Sequence, residues 1–382
     1  MRDLPILSAD DVEQALTRGQ AAEAVSRALQ AGLEPSGDSE RVIVELTSGQ
    51  FLLMPSATTS SVGLKAVTVA AANPSRGLPR IQGAYLLFGS ETLELRAILD
   101  GIALTNLRTP AVSIAATSPL LARFTRPIEV VAFGAGPQAI GHVEALEACS
   151  SVELADVTYV VRRPESAREQ LPSGATVVSA ADPFAITRLE RANVVVCATS
   201  ARTPLFDSVH LPDPAVVIAV GSHEPQAREL DGPLMGRADV IVEDVRTALR
   251  EAGDVVLAVG EGHLRADELI PMVDIVRDRR ALSADRTVVF KSVGMSWQDI
   301  VVSEAVMERY QHEAPPVRGE RTATARQGDE WVGAVVSQQP FVGSRASGTD
   351  DKGRLDAEPA AMGDPRTIKE TFVPATSVGY RH

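Results

Sequence analysis

Val130-Val131-Ala132-Phe133-Gly134-Ala135-Gly136-Pro137-Gln138-Ala139 decides the fold: an apolar run, a glycine turn and the opening of a helix. Glycine pairs at this spacing occur by chance, so the flanking strand and helix carry the assignment. In that context Gly134 makes the tight turn and Gly136 lets the backbone approach a pyrophosphate. Ala139 keeps the helix close to the strand, and the free amides of the helix N-terminus hold the negative charge. Gly134 to Ala139 is therefore expected to bind NAD or NADP in a Rossmann domain.

The downstream sequence has the matching rhythm. Helices are predicted over 137–146 and 183–191. Apolar strands are predicted over 157–161, 177–179, 194–198, 216–220, 240–242 and 287–290. Continuous rather than alternating apolar strands indicate a parallel sheet covered on both faces. At the end of the second strand an acid would bind the ribose hydroxyls of NAD, whereas arginine accommodates the 2′-phosphate of NADP. The sequence there is Val160-Val161-Arg162-Arg163-Pro164-Glu165, with the acid late. Arg162 and Arg163 favour NADP(H), with NAD(H) left open; a pair of solvated turn residues is the bland alternative. Thr199 and Gly221, after two later strands, complete the expected cofactor contacts.

Upstream, Ser8 to Asp11 reads as a capping box, and Val12, Ala15, Leu16, Ala22, Val25 and Leu29 recur at helical spacing. From Arg41 short β-branched and apolar runs follow: 42–46, 50–54, 63–69 and 83–88. They predict a strand meander. Leu95 to Ala122 reads mostly as helix, and Trp297 to Tyr310 as a last helix returning to the first domain. Gly, Pro, Ser, Asp, Arg and Thr dominate from about residue 313, which reads as a disordered tail.

The 382 residues, 45% hydrophobic and 23% charged, suit a globular protein of two ordinary domains. A formal net charge of -13 argues against nucleic acid and anionic membranes as partners. It does not exclude a small anion held by a few arginines. Cys149 and Cys197 alone give no disulfide framework, and neither a signal-like h-region nor a membrane-length apolar run is present. A cytoplasmic location is expected.

Lys65 interrupts an apolar strand and Arg108 an apolar helix; Arg41 precedes the first strand. A lone basic residue of this kind is usually a solvated face or a local ion pair. Three in one domain, facing a cofactor cleft, would clamp a carboxylate.

The runs Gly63-Leu64-Lys65-Ala66-Val67, Asn73-Pro74, Gly77-Leu78-Pro79, Leu99-Asp100-Gly101, Leu104-Thr105 and Arg108-Thr109 resemble the ornithine cyclodeaminase/μ-crystallin family. So do the Gly134–Ala139 turn, Val220-Gly221-Ser222, Arg228-Glu229-Leu230-Asp231, Glu251-Ala252-Gly253-Asp254-Val255 and Val289-Phe290-Lys291-Ser292-Val293-Gly294-Met295. The motifs keep the family's order over about residues 5 to 312. The resemblance implies an α/β enzyme without a metal, with an α+β substrate-binding and dimerisation domain over 1–125. A Rossmann domain follows over 126–295, then the returning helix over 296–313 and the tail over 314–382. It places Arg41, Lys65 and Arg108 at carboxylate-binding positions, with Lys65 able to donate a proton at the reacting centre. A homodimer is likewise implied.

The sequence departs from the family's cyclodeaminases at Val220-Gly221-Ser222-His223-Glu224, where His223 stands in place of an aspartate that binds the substrate amine. Histidine can act as a general base near neutral pH but attracts an ammonium poorly; Glu224 would substitute if the loop shifted by one. An exposed loop residue or a cofactor contact is the bland reading of His223. The expected activity is thus NAD(P)H-dependent reduction of a cyclic ketimine carboxylate, Δ1-pyrroline-2-carboxylate or Δ1-piperideine-2-carboxylate, with Lys65 and His223 catalytic. The alternatives are an ornithine cyclodeaminase-type ammonia-lyase, an amino-acid dehydrogenase and a non-catalytic μ-crystallin-like binder.

Overall fold

Capping boxes start the first two helices of the computed structural model, which describes residues 4–313. The expected tail over 314–382 lies outside the described residues. Strand β1 (Ile6–Leu7) is followed by α1 (Ala9–Ala15) and α2 (Arg18–Gln30). The Ser8 hydroxyl accepts from the Asp11 amide while the Asp11 carboxylate accepts from the Ser8 amide, and Thr17 and Gln20 repeat the arrangement. Then come β2 (Val42–Leu46), β3 (Gly49–Ala57), β4 (Ser61–Val69), β5 (Ile81–Gly89), β6 (Leu95–Asp100) and α3 (Gly101–Leu121). The strands form a six-stranded sheet in the order β1-β6-β5-β4-β3-β2, antiparallel except for the β1–β6 pair.

The expectation of helix over Leu95 to Ala122 needs correction in its first six residues, which form β6. Alternating burial of Ala97 and Leu99 is a strand pattern, and Asp100 ends it by accepting from the Ile102 and Ala103 amides. Within α3, Pro110 cannot donate to the Asn106 carbonyl, and Arg18 Nη1 donates to that oxygen instead at 3.0 Å.

The second half runs β7 (Ile128–Phe133), α4 (Pro137–Cys149), β8 (Leu154–Val161), α5 (Pro164–Arg168), β9 (Thr176–Ser179), α6 (Pro183–Leu189) and β10 (Val194–Cys197). It continues through β11 (Val216–Ala219), α7 (Gly232–Arg237), β12 (Asp239–Val242), α8 (Val245–Glu251), α9 (Gly253–Gly260), β13 (Ile270–Pro271), α10 (Met272–Val276), β14 (Val288–Lys291) and α11 (Ser296–Glu313). The eight-stranded sheet, ordered β13-β12-β14-β11-β10-β7-β8-β9, is parallel throughout. Every residue of β10, β11 and β14 is buried, as continuous apolar runs require. The chain winds from β7 outward through β8 and β9, then returns to place β10 on the other side of β7. A Rossmann sheet binds its ligand at that switch point.

Helix α11 leaves the parallel sheet and packs against α1, α2, α3, β3 and β4, so it returns to the six-stranded half. Among the described residues no helix is long and apolar enough to cross a membrane.

Candidate active site

On β4 alternate residues point inward, which puts Lys65 on the buried face with Gly63 and Val67. Its ammonium is 2.8 Å from Asp299 Oδ2, at the start of α11. The Lys65 side chain is 3% exposed and the Asp299 carboxylate 0%, so the pair is fully inside the protein. Arg108, on α3, places Nε 3.5 Å from Asp299 Oδ1 and donates from Nη1 to Gln298 Oε1 at 2.5 Å. One buried carboxylate thus lies between two cations. Arg41 reaches the same place from the loop before β2. Its Nη2 donates to the carbonyls of Val293 (3.2 Å) and Gly294 (2.5 Å) and lies 3.0 Å from Glu251 Oε2.

Gly294 explains how two guanidinium groups approach one loop. Its φ is +76°, in the left-handed region, and a Cβ there would sit 2.8 Å from both Nη1 and Nη2 of Arg108. Glu243, past the end of β12, holds the loop from behind: it accepts from the Ser292 hydroxyl, the Val293 and Gly294 amides and Gln298 Nε2. Each guanidinium is anchored through part of its donor set, leaving further N–H groups for a ligand. A small cleft opens beside Arg41, lined by Met54, Glu251, Gly294 and Met295 among others.

Burial is the main influence on these charges. It brings the Lys65 ammonium down to about 8; the Asp299 charge opposes this and Arg108 and Arg41 add to it. Arg41 is also lowered by burial, against the support of Glu251, and stays protonated as guanidinium groups do. A lysine poised near neutral pH is suited to proton transfer.

His223 lies on the exposed loop after β11. It is accessible to solvent yet surrounded by enough protein to depress its pKa, with the Arg41 charge as the next cause. That influence places it in the same electrostatic field as the clamp. Glu224 is exposed and pairs with Arg202 at 2.7 Å.

The dinucleotide turn has the shape its sequence requires. Gly134 has φ +111°, and a Cβ would come within 2.6 Å of the Ala198 carbonyl. Beside Gly136 the space is open, and α4 starts there with no side chain capping its amides. Ala139 is fully buried, Ala135 partly so, and Pro137 occupies the first helical position. This cradle fits a pyrophosphate. Gln138 is directed elsewhere, with Nε2 donating to Asn106 Oδ1 at 3.1 Å. Arg162 and Arg163 are exposed just beyond β8, and among the described residues neither forms an ion pair. Thr199 and Gly221 lie past β10 and β11, but the Thr199 amide and hydroxyl and the Gly221 amide all donate to Glu229.

The family model for the ornithine cyclodeaminase/mu-crystallin family matches residues 3–314. The chain belongs to this family. Among its relatives is the Delta(1)-pyrroline-2-carboxylate reductase of Colwellia psychrerythraea, 28% identical over 323 residues that cover 80% of this chain and 99% of that one. The reductase of the same name from Bacillus cereus strain ZK / E33L is 32% identical over 271 residues, covering 68% and 81%. A solved structure of Thermococcus litoralis Delta(1)-pyrroline-2-carboxylate reductase shares the fold, with TM-score 0.72 and 24% identity over 81% of this chain and 98% of that one.

Within this family member, sequence reading missed Asp299, Gln298, Glu243 and Glu251. Gln298 and Asp299 open an apolar helix, where polar and acidic residues ordinarily serve the helix end. Their separations from Arg108 and Lys65, 190 and 234 residues, give no local signal of contact.

Proposed function

We propose that the chain is an NAD(P)H-dependent reductase of a cyclic ketimine carboxylate, Δ1-pyrroline-2-carboxylate or Δ1-piperideine-2-carboxylate, giving the cyclic amino acid. The observation that carries this reading is the convergence of Arg41, Lys65 and Arg108 on the segment from Val293 to Asp299, with Lys65 held against a buried Asp299. The names of the Colwellia and Bacillus relatives support it.

Arg41 and Arg108 bind the substrate carboxylate through their remaining N–H donors and so fix the ring. When bound, the nicotinamide supplies the hydride that reaches the C=N carbon. Lys65 gives a proton to the imine nitrogen as that bond becomes C–N, and regains one from solvent. His223, exposed and within the influence of the Arg41 charge, relays it. Asp299, Gln298 and Glu243 hold the donors in place.

Exposed, and in no ion pair among the described residues, Arg162 and Arg163 support NADP(H) as the preferred cofactor, with NAD(H) accepted. A homodimer is supported by β2, an edge strand on which Val42, Ile43, Val44 and Leu46 are all exposed. Two free cysteines accord with a cytoplasmic enzyme. The division into a substrate domain over 1–125 and a cofactor domain over 126–295 belongs to the same reading.

The test is a panel of Δ1-pyrroline-2-carboxylate, Δ1-piperideine-2-carboxylate, ornithine and alanine, followed by nicotinamide absorbance and ammonia release. The reductase consumes NADPH with an imine and releases no ammonia. Ammonia without a net absorbance change means a lyase; ammonia with reduced cofactor means a dehydrogenase. Binding with no turnover means a non-catalytic protein.

A further inference from the structure

We infer that Glu229, Asp254 and Lys291 form a buried positioning cluster that shapes the platform under the nicotinamide half of the cofactor. The inference rests on the nicotinamide reading above but not on the identity of the substrate.

The three side chains are at most 1% exposed and come from different elements: the loop before α7, the first turn of α9 and the end of β14. Lys291 Nζ donates to the Ser222 carbonyl at 2.6 Å and lies 3.0 Å from Asp254 Oδ2. Asp254 Oδ1 accepts the Glu229 and Leu230 amides at 2.7 and 2.8 Å. Glu229 Oε1 accepts the Thr199 amide and hydroxyl at 2.8 and 2.7 Å, and Oε2 the Gly221 amide at 2.7 Å.

These bonds converge on the chain just beyond β10 and β11. Both strands lie on the side of β7 opposite β8, where Arg162 and Arg163 mark the adenosine end. The nicotinamide half must therefore cross the ends of β10 and β11. Gly221 shows how tightly the two loops are drawn together: a Cβ would collide with the Thr199 backbone and the Glu229 carboxylate. Three buried ionisable groups are expensive, and apolar residues often hold a core as well. A cluster whose bonds go to the loop ends of the cofactor site has a use that an apolar core would not serve.

The experiment compares NADH with ADP-ribose, which lacks the nicotinamide, in direct binding titrations of the full chain. Glu229→Gln can no longer accept from both Thr199 and Gly221; Asp254→Asn disturbs the same cluster from the α9 side. Each folded variant is expected to weaken NADH by about tenfold or more, since hydrogen bonds to charged groups are strong. ADP-ribose should stay within about twofold, being bound on the other side of the switch point. Equal weakening of both ligands, or of neither, overturns the inference. If neither variant folds, the cluster is purely structural and the inference is again overturned. Wild-type protein that bound neither ligand would sink the cofactor reading itself.

Discussion

Replacing Asp299 by asparagine removes one negative charge at nearly constant volume and leaves Lys65 and Arg108 facing each other in a buried site. Lys65 now titrates at about 8, with the Asp299 charge and hydrogen bond raising it against burial, Arg108 and Arg41. A charge-assisted hydrogen bond contributes about 1.5–3 kcal/mol, equivalent to roughly one to two pH units. The loss moves the Lys65 titration acidward by that amount. At about pH 7.5 the protonated fraction falls from about three quarters to between about a quarter and about 3%, a rate loss of roughly threefold to twenty-five-fold. The sign follows from the proton Lys65 supplies: reduction is supported below its pKa and lost as pH rises through it. The assay is kcat/KM for imine reduction across pH, with NADH affinity measured in parallel. The wild type should decline above about pH 8, and Asp299→Asn should decline one to two units lower with cofactor affinity retained. An unmoved limb, with activity lowered evenly at every pH, would refute the assignment of Lys65 as the proton donor.

Gly294→Ala places a methyl group 2.8 Å from the Arg108 guanidinium in a left-handed backbone, at a strain of about 1–2 kcal/mol. The KM for the carboxylate substrate should rise while NADH binding holds, as steady-state kinetics and titration will show. In Arg162→Ser/Arg163→Ser the KM for NADPH should rise by about tenfold or more and that for NADH change little, charged contacts to phosphate being strong. Equal effects on both cofactors would remove the arginines from the 2′-phosphate site. His142, fully buried, donates from Nδ1 to the Gln138 carbonyl and accepts from Ser113 at Nε2; burial brings it down to about 4. The unfolded chain binds the proton first, so this neutral histidine stabilises fully above about pH 6.5 and loses up to about 3 kcal/mol on acidification through pH 4. Denaturant titrations should show the stability difference between wild type and His142→Phe shrinking across that window.

Local features were legible because their causes are local. The Gly134–Ala139 turn follows from two glycines between a strand and a helix, and the Ser8 box from partners three residues apart. The parallel sheet was visible in its unbroken apolar strands. Leu95 to Asp100 was misread because an apolar strand running straight into an apolar helix offers only the Asp100 cap as a boundary. In the site, Lys65 and Arg108 stood out because a charge on an apolar element needs a partner. What the partner is, Asp299, could not be read from the chain.

By itself, the sequence determined the dinucleotide turn, the parallel sheet and three basic residues out of keeping with their surroundings. Those depend on periodicity, φ preference and the cost of burying charge, all properties of short segments. Only the tertiary structure decided that α11 carries Asp299 back to Lys65, that Gly294 admits Arg108, and that Glu229 draws Thr199 and Gly221 together. Electrostatic pairing depends on distance in space, and the chain brings these charges together only when α3 has packed against both sheets and α11 against the first.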